Sequence, residues 1–478
     1  MRRPLSFRFL LVAMSFTVTV ILSGCRVGPA YQRPAVPTPP EYRGAATLAD
    51  GMPTSMPATS LGDEKWWTVF DDPQLAELIR KGIAQNYDAR IAAERVVQAR
   101  AQLGITKADQ GPTLGGAASI SSQRYAKGEM GSNPDPVQME FGRVGLTATW
   151  NLDFWGKYRM ATEAERARLM GSEWARRAVI DSVISDIATA YFQLRTLDMH
   201  IEIAKETLAS REESLKLTRV LESGGSDSML DVREAEQLVF SVQAQITDLE
   251  RQIEQQEDTL STLLGESPHS IVRGASINRQ PALPAIPAGL PSELLERRPD
   301  IRQAEAVMVA ANAEIGVARS AYFPQISLTG SAGTDTNSLS RLFSGPSFVW
   351  NYGPSLSVPI FNAGKIRNNV RVSESQQRQA TLAYQQTIGN AFRDVSKALV
   401  AYRKYRQYRE QEEKIVESAA DALHLSKVRY EHGQSSYLDV LTNDRAYLTA
   451  QLDLATAKGN ELLSLVQLYD ALGGGWKQ

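Results

Sequence analysis

At 478 residues the chain has room for two or three ordinary domains, and 52 Lys and Arg against 54 Asp and Glu leave a net charge of −2. That balance excludes the basic field a nucleic-acid binder needs and the acidic block of a solvating tail. Gly and Pro stand at ordinary levels, so the chain reads as ordered, and its single cysteine excludes an internal disulfide.

The first 24 residues read as an export signal. Arg2, Arg3 and Arg8 form a positive start, followed by an apolar run from Phe9 to Ile21. That run is shorter than the about 20 apolar residues a bilayer span requires. It ends in Leu22-Ser23-Gly24-Cys25, which resembles the bacterial lipobox: cleavage before the cysteine, then acylation of its sulfur and new amino terminus. An incidental cysteine and an uncleaved anchor helix are the competing readings. The position of the sole cysteine favours lipidation at Cys25, and several acyl chains together anchor stably. Arg26, where Asp would signal inner-membrane retention, favours the outer membrane. Residues 25–72 are expected to form a lipidated extended segment, Pro- and Thr-rich to about residue 64.

Beyond it the chain is written twice. An offset of 208 lays Leu230-Asp231-Val232 over Leu438-Asp439-Val440, Gly156-Lys157 over Gly364-Lys365, and Leu264-Gly265 over Leu472-Gly473. Upstream an offset of 212 pairs Asp88 with Asp300, Arg90 with Arg302, Gly104 with Gly316 and Pro112 with Pro324. The four-residue difference falls in a loop marked by Gly128, Gly131, Pro134 and Pro136. The predicted repeats span 73–265 and 291–473, joined by a Pro-rich linker over 266–290 and followed by a tail, 474–478.

Each repeat is predicted to open with a helix of roughly 30 residues, the first capped by Asp72 with Pro73 at its first position. Pro112 and Pro324 then open strand pairs, over 113–152 and 325–360. Val144, Leu146, Ala148, Trp150 and Leu152 alternate with Arg143, Gly145, Thr147, Thr149 and Asn151. Phe348, Trp350, Tyr352, Leu356 and Val358 alternate with Val349, Asn351, Gly353, Ser355 and Ser357. One greasy and one hydroxyl-rich face at period two fits a transmembrane β-barrel, although a half-buried soluble sheet alternates in the same way. Four strands fall short of the about eight that close a barrel, and open edges are not tolerated in lipid. The strands must therefore be pooled among copies. A long helix free of Pro follows each pair, from Lys157 to about Glu222 and from Lys365 to about His432. At 1.5 Å per residue each extends roughly 100 Å and needs a partner along its length, as in a coiled coil.

Several stretches resemble one family, the outer-membrane efflux lipoproteins of the OprM-like branch of TolC-like outer membrane factors. They are Leu290 to Glu305 (LPSELLERRPDIRQAE), Ala311 to Gly316, Ala321-Tyr322-Phe323-Pro324, Asp153 to Lys157, Pro359 to Gly364, and Arg429-Tyr430-Glu431 with Gly433. The resemblance covers essentially the whole mature chain. It implies a mixed α and β membrane protein, internally duplicated, with four transmembrane strands and long periplasmic helices per chain. Three chains would form a 12-stranded β-barrel continuous with a 12-helix α-barrel. It further implies an exit duct of a tripartite efflux system, giving small molecules a path from periplasm to exterior. Partners would be a periplasmic adaptor (membrane fusion protein), an inner-membrane transporter of the resistance-nodulation-division class, and outer-membrane lipid.

No catalytic constellation is visible, no cofactor or metal site is expected, and the four histidines read as surface or packing residues. Carboxylates gather near the two helical turns at about 222–231 and 431–439: Asp227, Asp231, Glu431, Asp439 and Asp444. Rings of such groups hold constrictions and favour cations, whereas Ser226, Asp227 and Asp231 equally suit helix capping. The family's gate carboxylate falls on Thr442 and does not carry over, while Arg429 and Tyr430 match. Constriction candidates are thus Tyr430, Arg429, Asp231, Asp227 and Asp439. Arg297-Arg298-Pro299-Asp300 reads as a helix start whose arginines bind neighbouring carboxylates. A periplasmic coiled-coil adaptor-type lipoprotein is the alternative, but it gives no reason for two alternating strand pairs. A lipid-anchored hydrolase would need a nucleophile–His–acid arrangement, which is not visible. The exported compounds are not legible, because a duct passes what its transporter delivers.

Overall fold

The computed structural model describes residues 26–39, 42, 70, 72–128, 135–226, 228–274 and 291–474. Cys25, the signal segment and Asp227 lie outside these residues. The elements in chain order are α1 (Pro73–Gln85), α2 (Tyr87–Ala108), β1 (Thr113–Tyr125), β2 (Val137–Leu152), α3 (Lys157–Ser223) and α4 (Met229–Leu263). There follow α5 (Pro291–Arg297), α6 (Pro299–Ser320), β3 (Gln325–Thr336), β4 (Phe348–Ser357), α7 (Lys365–Glu431) and α8 (Tyr437–Ala471). The series runs twice with matching lengths: α3 and α7 have 67 residues each, and α4 and α8 have 35 each.

The residues group into two compact units. The first holds the described N-terminal stretch to 35 with 96–172 and 304–384; the second holds the remainder. In the first unit all four strands form one antiparallel sheet in the order β1-β2-β3-β4. Short α-helical ends flank it, and Ala164, Ala167, Ala310 and Ala313 pack there into a buried cluster. These small side chains let backbones approach closely. The stretch after Cys25 is bound to the same unit: Asn312 donates to the Pro29 carbonyl at 3.1 Å, and Arg33 pairs with Glu305 at 3.1 Å.

The second unit is helical. The opening helix expected as one run of roughly 30 residues is instead two helices in each half, broken at Asn86 and at Arg298. The two breaks occupy matching positions at the 212 offset and are stitched alike. Asn86 caps α2, its side-chain oxygen accepting from the Asp88 and Ala89 amides at 2.8 and 3.1 Å. Its amide nitrogen donates to the Leu263 carbonyl at 2.8 Å, at the end of α4. Arg298 donates to the Ala471 carbonyl at 3.1 Å, at the end of α8. Each break thus satisfies a carbonyl that a helix end leaves without an intrahelical partner. Pro299 forbids continuation in the second half, since the residue before a proline is pushed out of the helical region. In the first half only the capping chemistry of Asn86 signals the break. The expected start of α1 is found as read: the Asp72 carboxylate accepts from the Gln74 and Leu75 amides at 2.9 and 3.2 Å.

Among the described residues no helix is long and apolar enough to cross a bilayer. Any span by these residues falls to the strands.

Candidate functional site

Two places gather the functional candidates, one in each unit. The first is the sheet. Residues directly opposite each other in antiparallel strands point to the same face. The register aligns Leu114 with Ala148, Leu146 with Ala332, Trp150 with Leu328, Ile326 with Leu356, and Ala332 with Trp350. Along Gly142–Leu152 of β2 and the residues paired with them, the large apolar side chains other than Val349 therefore fall on one face. The opposite face aligns Thr113 with Thr149, Thr147 with Ser331, Thr149 with Thr329, and Ser331 with Asn351; Val349 is apolar there, as are Val137, Met139 and Phe141 at the start of β2, which pair with Tyr125, Gln123 and Ser121. Cross-strand polar pairs tie this second face together. Ser327 and Ser355 hydroxyls lie 2.7 Å apart, and Arg143 donates to the Asp335 carboxylate at 2.5 Å.

The apolar face is bare in the single chain. Leu114 is 74% exposed and Tyr352 77%, values suited to contact with lipid and costly in water. Trp150 and Trp155 near the helix-side end of β2 donate their indole N–H groups to the Gln110 and Pro324 carbonyls at 3.0 and 2.7 Å. Each thereby combines an apolar ring with a satisfied polar tip, as interfacial aromatics do. β1 and β4 are the outer strands of the sheet, so each leaves one row of backbone groups outside the ladder.

The second place is the pair of helical turns. α3 ends at Gly224-Gly225, where Gly225 takes φ +77° and Ser226 N–H bonds back to the Leu221 carbonyl at 2.9 Å. α7 ends in the same way at Gly433, φ +67°, with Gln434 N–H to the Arg429 carbonyl at 2.8 Å. Left-handed backbone at this position is why both turns carry glycine. Below the turns, Leu215, Val232, Leu238 and Val239 pack with Leu423, Tyr437, Val440 and Leu441 in one buried cluster. The two hairpins are thus held together by apolar packing close to their ends.

Against this frame the constriction candidates separate. Tyr430 is half-buried, packs on that cluster, and meets the Tyr437 ring at 5.2 Å between centroids. Arg429 is exposed and reaches the Gln434 carbonyl at 3.5 Å. Asp231 closes a capping box: it accepts from the Ser228 amide at 3.0 Å while its own amide donates to the Ser228 hydroxyl at 3.3 Å. Ser228, rather than Ser226, is the cap. Asp439 is exposed in the first turn of α8, where a negative charge complements the helix dipole. Asp227 and Cys25 lie outside the described residues.

Asp444 has a different partner from a pore. It lies against Arg211, which donates to it at 2.8 Å and also to the Leu238 carbonyl at 3.1 Å. Both side chains are largely buried, so this ion pair ties α3 to α4 and α8. A sequence signal exists for it. Ala204, Leu208, Arg211, Leu215 and Thr218 fall on one helical stripe, and an arginine in an apolar stripe must find an acceptor. Among the described residues, no group of three or more His, Cys, Asp or Glu is placed to hold a metal ion.

A sheet with one greasy and one hydroxyl-rich face, attached to paired long helices, is the signature of a membrane channel protein. The chain belongs to the outer membrane efflux protein family, whose model matches residues 78–266 and again 290–474. Members are outer-membrane efflux channels and not enzymes. The chain is 38% identical over 458 residues to the solvent efflux pump outer membrane protein SrpC of Pseudomonas putida, covering 96% of this chain and 97% of that protein. It is 33% identical over 473 residues to the probable outer membrane lipoprotein SilC of Salmonella typhimurium, covering 98% and 99%. Its fold matches the open state of the Neisseria gonorrhoeae MtrE outer membrane channel, with TM-score 0.83 at 32% identity, over 95% of this chain and 99% of that one.

Proposed function

We propose that three copies of this chain pool their strands into one 12-stranded outer-membrane barrel continuous with a 12-helix periplasmic barrel. The assembly is the exit duct of a tripartite efflux system. The observation that carries this reading is the register: along Gly142–Leu152 of β2 and the residues paired with them it collects large apolar side chains on one face and hydroxyl groups on the other, and it leaves two strand edges open. Lipid tolerates neither open edge, and about eight strands is the smallest closed barrel, so neighbouring copies must pair β4 with β1. The greasy face then meets lipid and the Ser/Thr face lines water.

The same reading makes 73–265 and 291–473 two copies of one ancestral unit, supported by their matched helix lengths and by the matched stitches at Asn86 and Arg298. Cys25 carries the lipid, in keeping with the lipoprotein named among the relatives. A periplasmic adaptor and an inner-membrane transporter of the resistance-nodulation-division class complete the pump. The turns at Gly225 and Gly433 form the periplasmic end, with Tyr430, Arg429, Asp231, Asp227 and Asp439 around the constriction.

Cross-linking tests the shared barrel directly. Ser119→Cys in β1, combined in turn with V349C, N351C or G353C in β4, should give a covalent trimer on oxidation in at least one register. A chain that cross-links in none of them, and extracts from membranes as a monomer, sinks the proposal.

A further inference from the structure

Asp181 of α3 is 7% exposed, and neither of its carboxylate oxygens has a hydrogen-bond partner among the described residues. Burying an ionised carboxylate without a partner costs far more than burying the neutral acid. Two of its charged neighbours are acids. Asp300 faces it from the start of α6 and Asp470 from the end of α8, while Arg177, one turn earlier on its own helix, is the cation that opposes them. Arg298, the cation that meets Asp300, is already committed. It forks onto Asp300 at 3.0 and 2.6 Å, donates to the Ala471 carbonyl, and lies 3.9 Å from Asp394 of α7. Arg393 in turn is held by Asp394 at 2.8 Å.

At the 208 offset the residue matching Asp181 is Gly389, so the shared architecture of the two halves does not demand a carboxyl here. No neighbouring copy can supply a partner either, because both oxygens are shut off from the surface.

We propose that Asp181 is held as a neutral carboxylic acid with a proton as its ligand, and that this proton lets α3 pack against the α6–α8 junction. The channel body thus carries a proton-occupied site that empties in mildly alkaline conditions. Burial first, then the charges of Asp470 and Asp300, push this carboxyl up from 3.8 to about 8. Because the folded state holds the proton more tightly than the unfolded one, the stabilisation is complete below the ordinary carboxylate range. It is lost progressively as pH rises from about 4 toward 8, then stays level.

The test compares the purified full-length assembly with its D181N variant. Relative to the variant, the wild-type folded-to-unfolded ratio should fall about tenfold per pH unit across that window. The wild type should also show a protonated-carboxyl stretching band in infrared spectra at pH 7 that fades near pH 8 and shifts in D181E. Parallel stability profiles of wild type and D181N overturn the proposal, as does loss of the band by pH 5. Should D181N fail to assemble, the infrared titration of the wild type decides alone.

Discussion

Single residues separate into those that hold the hairpins together and those proposed to border a constriction. Arg211 and Asp444 belong to the first kind. Removing one partner of a buried pair strands the other charge, a loss of about 3–5 kcal/mol. Arg211→Ala should therefore lower the thermal melting point of the assembly and expose the α3–α4 hairpin to protease. An unchanged melting point would show that the pair contributes nothing. Asp231 has a structural role whether or not it also gates, since breaking its box with Ser228 removes a cap worth about 1 kcal/mol. Conductance in planar bilayers divides the two roles. Tyr430→Ala, which removes a ring packed at a tilt against Tyr437, should raise single-channel conductance; Asp231→Ala should do so only if its carboxylate also faces the pore. A Tyr430→Ala channel indistinguishable from wild type would remove Tyr430 from the gate.

Elements end where backbone chemistry forces them to, and the glycines at those ends are not equivalent. Gly433 sits in left-handed backbone with nothing near a would-be Cβ, so G433A carries only the conformational cost, about 1 kcal/mol. Gly265 combines φ +75° with a would-be Cβ 2.6 Å from the Gln85 carbonyl oxygen, at the stitch between α1 and α4. G265A must move backbone as well and should cost several times as much. Comparing the melting points of the two variants checks this, and equal losses would mean that the close approach relaxes freely. The helix breaks at Asn86 and Arg298 belong to the same scale. Pro299 makes the second break readable, whereas an asparagine inside a periodic run is usually tolerated. Asn86 becomes a terminus by capping the Asp88 and Ala89 amides while its amide nitrogen is held by Leu263, 177 residues away.

For the whole molecule the decisive property is the division of the sheet into two faces. On the apolar face, an arginine at mid-membrane depth costs about 2–4 kcal/mol. Leu146→Arg should accordingly cut the yield of assembled protein in the outer membrane. Thr147→Arg, one residue along and on the opposite face, should leave assembly intact and change ion selectivity instead. If both variants assembled equally well, the assignment of faces would be wrong.

The sequence by itself determined the strand alternation, the recurrence of matching residues at a constant offset, and the long helices. Each of these is a short-range or periodic property, written in neighbouring residues or in a constant offset. It left the site largely open. Asp231 reads equally well as gate or cap, Asp444 looks like one more pore carboxylate, and Asp181 draws no notice within an ordinary helical stretch. The tertiary structure paired Asp444 with Arg211, closed the capping box at Asp231 and buried Asp181 without a partner, because a carboxylate's surroundings depend on how the chain packs. The same holds for the sheet: alternation gives each strand two faces, but which face of β1 joins which face of β3 is fixed by pairing register, and a slip of one residue would have scattered the apolar set across both sides.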